Sequence, residues 1–323
     1  MSLFVINGKT KRLSGFYGFF IEKAMFVTLT IQKDCLFIGE KLMLNIFQKI
    51  QETKKTILSL CNFNPTVAIV AGSGLSEIVK QFAIRGTIKY SDIPYFPKAT
   101  VQGHAGELLL CSCGDTDMLI FNGRFHYYEG HHPKEVVYPV RVMKFLGVET
   151  LILTAATGGL NENYSSGDIV VLKDHIDFTG NNPLIGVHCD EFGERFPDMG
   201  NVYNAVLRRE ALSLAEKFNI KVHEGIYFGV SGPSYETPAS VRAYQMLGGD
   251  VVGMSVVYEA TVAAQMKMKV LGLAYVSNMA AGIEDEPLSH DEVLKNGKKV
   301  SAGMSKIIKN IVGFIDRREK ATG

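Results

Sequence analysis

The sequence has no excess of charge of either sign and no apolar run long enough to cross a membrane. Its 323 residues include 34 Lys and Arg against 33 Asp and Glu, a formal net charge of +1. Nucleic-acid binding usually requires a basic surface, and a spanning helix needs about 18 or more consecutive apolar residues. We therefore expect neither a nucleic-acid nor a membrane partner. A local phosphate site is still compatible, because it needs only a few well-placed groups.

The cysteines are few and odd in number, at positions 35, 61, 111, 113 and 189. Without regular spacing they form a poor disulfide framework, which favours a reducing compartment and a cytoplasmic location. Cys111 and Cys113 have no second cysteine or histidine pair to complete a zinc site. We interpret them as two small residues on one face of a strand, and we expect no metal.

The first 42 residues differ in character from the rest of the chain. They lack the order of a positive segment, an apolar segment and small residues that a signal peptide shows. We interpret residues 1–42 as an extension, dispensable or disordered, which upstream translation ahead of Met43 would explain. A short targeting segment is the alternative. Residues 43–323 are predicted to form one catalytic domain.

From Asn45 onward, apolar strand-like segments alternate with amphipathic helical ones. Continuous apolar strands separated by helices indicate a sheet covered on both faces. We predict an α/β domain with a central mixed, largely parallel twisted sheet flanked by helices. Strands are predicted at 67–71, 107–113, 118–121, 150–154, 168–172, 225–230, 251–254 and 270–276, and helices at 46–61, 76–82, 134–146, 203–218, 238–247, 259–268 and 291–315. The polar segment 180–200 is predicted to be a functional loop.

Polar residues follow several of these strands, and in open α/β sheets ligands gather at the carboxyl ends of strands. Gly72-Ser73-Gly74 can bind an anion through backbone N–H groups and a hydroxyl. A tight strand–helix turn is the plainer interpretation. A dinucleotide-binding motif would need a third glycine where Glu77 stands, which argues against a nicotinamide-dependent dehydrogenase.

The segment Gly-Arg-Phe-His-Tyr-Tyr-Glu-Gly at 123–130 follows a predicted strand. An extended chain would place Arg124, His126 and Tyr128 on one face and Phe125 and Tyr127 on the other. A planar guanidinium suits phosphate, so we predict an oxyanion site, with Tyr128 reaching what lies beside the anion. The alternative is an arginine that binds carbonyls and a histidine satisfied in the core.

Three further residues have both a functional and a structural interpretation. Glu236 can accept hydrogen bonds from a ring N–H while Tyr235 packs on a flat ring, or it can simply favour the start of a helix. His290 can contact a sugar hydroxyl, or it can belong to a helix start with Ser289 as cap. His104 is similarly ambiguous.

Ten segments of the chain resemble those of the trimeric purine nucleoside phosphorylases and occur in the same order as in that family, which also includes methylthioadenosine phosphorylase. The resemblance runs from about Asn45 to Ile315. The segments are AGSGL (71–75), VQGHAG (101–106), NGRFHYYEG (122–130), AATGGL (155–160), GDIVVLKDHIDF (167–178), GERFPDM (193–199), SGPSYETPA (231–239), VGMSVVYEA (252–260), SNMAAGI (277–283) and LSHDEVL (288–294).

The resemblance implies a nucleoside phosphorylase fold, a homotrimer and a role for each matching residue. Catalytic roles fall to Asn278, Glu236 and His126. Phosphate contacts fall to Ser73, His104, Arg124, His126, the backbone of Ala156, and Ser255. Ribose contacts fall to Tyr128, Met254, His290 and Phe196, with Phe196 supplied by a neighbouring subunit. Purine contacts fall to Tyr235, Glu236 and Asn278.

The implied reaction is the reversible phosphorolysis of inosine, guanosine and their deoxy forms in purine salvage, yielding free base and (deoxy)ribose 1-phosphate. Inorganic phosphate is a co-substrate, and no cofactor is expected. Asn278 favours 6-oxopurines, since an amide presents a donor and an acceptor, whereas an aspartate would suit a 6-aminopurine. Ala155 stands where the family commonly has asparagine. The alternatives are a methylthioadenosine or broad-specificity phosphorylase and a non-catalytic nucleoside-binding homologue.

Overall fold

The computed structural model of the chain describes residues 4–6, 9–11, 45–60, 63–72, 74–98, 105–284 and 290–322. The chain divides into two compact units, Met1–Gln48 with Gly186–Cys189, and Lys49–Ile185 with Asp190–Gly323. In the first unit, strands β1 (Phe4–Ile6) and β2 (Lys9–Lys11) pair antiparallel. Most of residues 1–42 lie outside the described residues, so their interpretation as a dispensable extension stays a prediction.

A single mixed sheet dominates the described part of the second unit. Its strands follow the spatial order β10-β9-β8-β11-β7-β3-β6-β5-β4, and β10 also pairs with β7. The strands are β3 (Val67–Ala71), β4 (Ala83–Lys89), β5 (Glu107–Cys113), β6 (Thr116–Asn122), β7 (Thr150–Gly159), β8 (Ile169–Asp177), β9 (Val222–Gly229), β10 (Val251–Gly253) and β11 (Lys269–Met279). Strands β6, β3, β7 and β11 run parallel, as do β8, β9 and β10, whereas β11 and β8 pair antiparallel. The predicted α/β class with a mixed sheet is therefore confirmed.

Helices cover the sheet, and the longest of them supplies much of the core. They are α1 (residues 45–60), α2 (Pro133–Val136), α3 (Tyr138–Phe145), α4 (Ala205–Lys217), α5 (Pro238–Met246), α6 (Val257–Gln265) and α7 (His290–Thr322). Met304, Ile307 and Ile311 of α7 are fully buried in a cluster that includes α4 and several strands. None of the helices within the described residues has the length and apolar character needed to cross a membrane.

The structure differs from the sequence-based prediction in several elements; for example, the helix predicted at 76–82 is a 3-10 helix, Ser76–Gln81. The helix predicted at 134–146 is divided into α2 and α3 near Val137, because Pro139 lacks an N–H and clashes with the carbonyl four residues earlier. Strand β7 continues beyond Thr154 to Gly159. Strand β4 was not predicted: it lies at the sheet edge and is largely exposed, so it lacks the apolar alternation that identifies a strand.

Strand β11 carries an irregularity that later shapes the cleft. Its register with β7 shifts between Val276 and Asn278, leaving Ser277 as the extra residue. The carbonyl of Ser277 accepts hydrogen bonds from Asn296 Nδ2 at 2.7 Å and from Ser166 Oγ at 3.0 Å. Asn296 on α7 is buried. The side chain of a core helix therefore satisfies the carbonyl that the bulge releases from the ladder.

We expect Asn296→Ala to lower the free energy of unfolding by about 1–3 kcal/mol, because it removes the buried hydrogen bonds from Asn296 Nδ2 to the Ser277 carbonyl and to Ser166 Oγ. The measurement is urea unfolding at a fixed protein concentration. Asn310→Ala on the same helix is the matched control, since Asn310 is exposed and its Nδ2 bonds only the carbonyl of Lys306. Equal effects of the two substitutions would contradict a specific role of Asn296 at the bulge.

Candidate active site

One cleft of about 700 Å³ lies where several strands end. Five chain segments line it: the segment after β6, the end of β7, the loop before α5, the end of β10 with the residues after it, and the bulged part of β11. The lining residues are Arg124, His126, Tyr128, Ala156, Thr157, Gly158, Tyr235, Glu236, Val252, Gly253, Met254, Ser255, Ser277 and Asn278. The segments are far apart in sequence, so the sheet topology assembles the cleft.

Arg124 is held in the cleft by a buried ion pair. Its Nη2 lies 2.8 Å from Glu259 Oε2, and its Nε donates to Glu259 Oε1 at 3.4 Å. Both side chains are almost fully buried, at 2% and 7% exposure. Its Nη1 donates to the carbonyl of Thr154 at 2.6 Å and to Ser255 Oγ at 3.2 Å. The guanidinium is thus fixed in position before any ligand arrives.

Ser255 lies in a strained turn between β10 and α6. Val256 has φ +56° and ψ −52°, and Val257 N donates to the carbonyl of Ser255. A branched residue in this region is sparsely populated and persists only when its surroundings hold it there. Tyr227, which is fully buried, contacts both Ser255 N at 3.1 Å and Ser255 Oγ at 3.4 Å. The turn presents the serine hydroxyl beside the Arg124 guanidinium.

The segment 123–130 brings Arg124, His126 and Tyr128 to the cleft, but not through a chain that is extended throughout. Residues Tyr127–Glu129 form a 3-10 turn that ends at Gly130 with φ +90°. Glu129 Oε1 closes the turn by accepting from His126 N at 2.8 Å and lying 3.0 Å from His126 Nδ1. The predicted extended geometry therefore holds at His126, with φ −120° and ψ 152°, and is wrong from Tyr127 onward, while the three side chains share one cleft as predicted.

The imidazole of His126 is buried and stacks on the ring of Tyr128, with centroids 4.6 Å apart and an interplanar angle of 18°. Burial lowers the pKa of His126 despite the nearby Glu129 carboxylate, which acts in the opposite direction. The ring therefore favours its neutral form at neutral pH. A neutral imidazole has one N–H, and the Glu129 carboxylate beside Nδ1 places that proton on Nδ1, so that Nε2 is an acceptor.

Asn278 is nearly buried, and its amide orientation is fixed by its neighbours. Its Oδ1 accepts from Ser277 Oγ at 2.6 Å, and its Nδ2 donates to the carbonyl of Met279 at 3.0 Å. Ser277 Oγ is also 3.0 Å from the carbonyl of Thr157 on β7. The amide therefore presents a defined donor side and a defined acceptor side to the cleft.

Glu236 and Tyr235 lie on the loop that precedes α5. Burial raises the pKa of the Glu236 carboxyl, and no Lys, Arg or His of the described residues pairs with it. Gly232, at φ +67°, lets this loop approach the cleft, since a Cβ there would lie 2.3 Å from Met254 Sδ. A half-buried carboxyl without a cation is well suited to accept N–H donors from a ligand.

Some predicted residues are not brought together by the described structure. Ser73 and His104 lie outside the described residues, as does the side chain of His290, the first residue of α7. Phe196 lies on the loop between β8 and α4, and 86% of its surface is exposed. Ala155 is buried and does not line the cleft, whereas the next residue, Ala156, does. The roles given to all these residues stay predictions.

Three supporting residues were not identified from the sequence. Glu259 and Tyr227 hold Arg124 and Ser255, and Thr154 Oγ1 accepts from Gly72 N at 2.9 Å and donates to the carbonyl of Val70 at 2.8 Å. Glu259 offered one usable indication: it is the only charge on the otherwise apolar segment VYEATVAAQ. A buried charge usually has a partner. Nothing local in the sequence indicated that the partner is Arg124.

Comparison with known proteins agrees with this arrangement. A family model described as the phosphorylase superfamily matches residues 66–313. The matched range is well over half of the chain and contains every residue that lines the cleft. The chain belongs to the phosphorylase superfamily.

Within that superfamily, the similar proteins are purine nucleoside phosphorylases. Purine nucleoside phosphorylase 1 of Bacillus subtilis is 48% identical over 249 residues, which cover 77% of this chain and 92% of the relative. The bovine enzyme is 38% identical over 276 residues, covering 83% and 96%. A crystal structure of Schistosoma mansoni purine nucleoside phosphorylase with adenosine superposes with a TM-score of 0.77 at 35% identity, covering 82% and 96%.

We expect Glu259→Gln to lower the free energy of unfolding in phosphate-free buffer by about 3 kcal/mol, because it leaves the buried Arg124 charge uncompensated. Inorganic phosphate should raise the melting temperature more in this variant than in the wild type, since the anion then takes over part of the neutralisation. Glu77→Gln, which removes an exposed ion pair with Lys80, is the control and should change stability little. A phosphate response no larger than that of the wild type would contradict the inferred role of Glu259.

Proposed function

We propose that the protein is a purine nucleoside phosphorylase, which transfers the ribosyl group of a purine nucleoside to inorganic phosphate. The observation that carries this proposal is the division of one cleft into two chemical sides. Arg124 and Ser255 offer hydrogen-bond donors to an anion, whereas Glu236 and Asn278 offer a carboxylate and an amide to a flat polar base. The relatives named above support the same reaction.

The reaction breaks the bond between C1′ of the sugar and N9 of the purine. A phosphate oxygen forms the new bond to C1′, and the electron pair of the broken bond moves into the purine ring. Positive charge develops on the sugar, as in glycoside hydrolysis, and the phosphate held by Arg124 and Ser255 stabilises it. Asn278 and Glu236 would stabilise the departing purine by hydrogen bonds that strengthen as charge develops.

The fixed amide of Asn278 favours 6-oxopurine nucleosides over adenosine. With Oδ1 held by Ser277 and Nδ2 held by the carbonyl of Met279, the amide cannot rotate freely to suit a different base. Its second N–H can donate to O6 of a 6-oxopurine, whereas the 6-amino group of adenosine is itself a donor at that position. A buried polar site that leaves groups unpaired can discriminate by roughly 10⁴-fold. Inosine, guanosine and their deoxy forms are therefore the proposed substrates.

Several broader features belong to the same proposal. The balanced charge and the odd number of cysteines without regular spacing support a cytoplasmic enzyme of purine salvage, for which no metal or organic cofactor is expected. The family resemblance supports a homotrimer in which the ring of Phe196, which is 86% exposed, covers a neighbouring cleft. Such a ring would exclude water from the reacting sugar.

The second candidate is a phosphorylase that also cleaves adenosine or methylthioadenosine. The specific observation in its favour is that the similar Schistosoma mansoni enzyme has been crystallised with adenosine. A Schistosoma purine nucleoside phosphorylase has also been crystallised with hypoxanthine, and isoform 2 of the Schistosoma mansoni enzyme with cytosine and ribose 1-phosphate. Binding in a crystal does not establish turnover, so cleavage of each nucleoside must be compared directly.

The decisive experiment measures base release from inosine, guanosine and adenosine, each with and without inorganic phosphate. We expect release of hypoxanthine and guanine only when phosphate is present, with adenosine cleaved at least about 100-fold less efficiently. Release without phosphate would make the enzyme a hydrolase. Equal cleavage of adenosine would replace the 6-oxopurine assignment with broad specificity, and no release from folded protein would favour a non-catalytic nucleoside-binding homologue.

The substitution Asn278→Asp tests the specificity residue. We expect kcat/KM for inosine to fall by about 100-fold and kcat/KM for adenosine to rise, because a carboxylate accepts from a 6-amino group but repels O6. Asn161→Asp is a matched control, since Asn161 lies outside the cleft and bonds Asp250. An unchanged ratio of the two substrates in Asn278→Asp would remove Asn278 from the specificity argument.

A further inference from the structure

The hydroxyl of Tyr227 is a buried group beside the anion side of the cleft, and neither the sequence nor the family resemblance gave it a role. Tyr227 is on β9 and is fully buried. Ser255 N donates to its oxygen at 3.1 Å, so that oxygen acts as an acceptor. Gly253 permits this approach, because a Cβ at that position would lie 2.3 Å from the tyrosine oxygen.

The proton of the Tyr227 hydroxyl needs an acceptor, and within the described residues the recorded one is Ser255 Oγ at 3.4 Å. If the serine donated instead, the tyrosine proton would be buried without a partner, which costs more than a weak hydrogen bond. Tyr227 therefore acts as acceptor toward the backbone of Ser255 and as donor toward its side chain.

Ser255 Oγ also accepts from Arg124 Nη1 at 3.2 Å. A guanidinium has only donors, so this direction is not in doubt. A serine hydroxyl has two acceptor positions and one proton. Because Arg124 and Tyr227 occupy both acceptor positions, the proton of the Ser255 hydroxyl can be donated to a ligand in the cleft.

We propose that Tyr227 is a positioning residue that makes Ser255 an obligatory donor to the anion, so that the site selects an oxyanion whose facing oxygen carries no proton. The proposal deepens the proposed phosphorylase function and depends on it for the identity of the anion. The phosphate dianion satisfies the requirement. Binding of the phosphate monoanion is disfavoured when one of its P–OH groups faces Ser255, because the proton of that group finds no acceptor there.

The test is Tyr227→Phe, which removes one oxygen and keeps the buried ring. Phosphate affinity is measured by isothermal titration calorimetry on the full chain across the second ionisation of phosphate, from about pH 5.5 to about pH 8. At the alkaline end we expect phosphate binding to weaken by roughly three- to tenfold. Toward the acidic end the ratio of the phosphate dissociation constants of variant and wild type should fall toward one. In the variant, Ser255 regains an acceptor position that can bind a P–OH group.

Other ionisable groups near Ser255 are present in both proteins, so their effects largely cancel in the ratio of variant to wild type. They come from the segment after β6, the loop before α5 and helix α6, and are Arg124, His126, Tyr127, Tyr128, Glu129, Tyr235, Glu236, Tyr258 and Glu259. Tyr203→Phe is the matched control: Tyr203 is equally buried, and its hydroxyl contacts His175 outside the cleft. Its phosphate affinity should follow the wild type at every pH.

A double-substitution cycle checks that Tyr227 acts through Ser255. In the Ser255→Ala background, Tyr227→Phe should produce no further loss of phosphate affinity, because the hydroxyl that it orients is already absent. Any of three results would overturn the proposal. They are a variant-to-wild-type affinity ratio that does not change with pH, an unchanged phosphate affinity in Tyr227→Phe, and additive losses of affinity in the double variant.

If Tyr227→Phe does not fold, the wild type still provides a test. Sulfate carries no proton in this pH range, so its binding should stay constant while binding of total phosphate weakens on acidification. Parallel behaviour of the two anions would overturn the proposal. All these measurements report anion binding directly, so failure of the phosphorolysis assay would refute the proposed function without deciding the role of Tyr227.

Discussion

The cleft depends on the short antiparallel contact between the end of β7 and β10. Val251 and Val252 pair with Gly159 and Gly158, and through this contact the strands β7, β11, β8, β9 and β10 close on themselves. The two glycines of β7 lie close to both neighbouring strands, since a Cβ on Gly158 would lie 3.1 Å from Val252 Cγ1 of β10 and a Cβ on Gly159 would lie 2.7 Å from Met279 Sδ of β11. Because of this closure, segments nearly 150 residues apart in sequence face one another across a single space.

The two sides of the cleft are stabilised by different means. On the anion side, charge and hydroxyl groups are fixed by buried partners, with Glu259 behind Arg124 and Tyr227 behind Ser255. On the base side, backbone irregularity provides the geometry, since the bulge at Ser277 turns Asn278 toward the cleft and α7 satisfies the released carbonyl. Preorganisation of this kind means that little rearrangement accompanies the development of charge.

The sequence alone could predict the features that depend on interactions between nearby residues, but not those that depend on residues far apart in the chain. Buried strands such as β3 were predictable from local apolar runs, and strand ends indicated where Arg124 and Asn278 would meet. The 3-10 turn at Tyr127–Glu129 was missed, because Glu129 closes it through a side chain whose role is not apparent from alternation. The ion pair of Arg124 with Glu259 joins residues 135 positions apart, and only the closed sheet brings them together.

The Arg124–Glu259 pair also determines how the anion is attracted over distance. Because the guanidinium is neutralised by an adjacent buried carboxylate and the chain as a whole is almost neutral, the cleft produces only a weak field beyond its mouth. Electrostatic steering needs an uncompensated charge and is strongly reduced by added electrolyte. Capture of the anion by this site should therefore be governed by short-range complementarity, and its rate should change little with ionic strength.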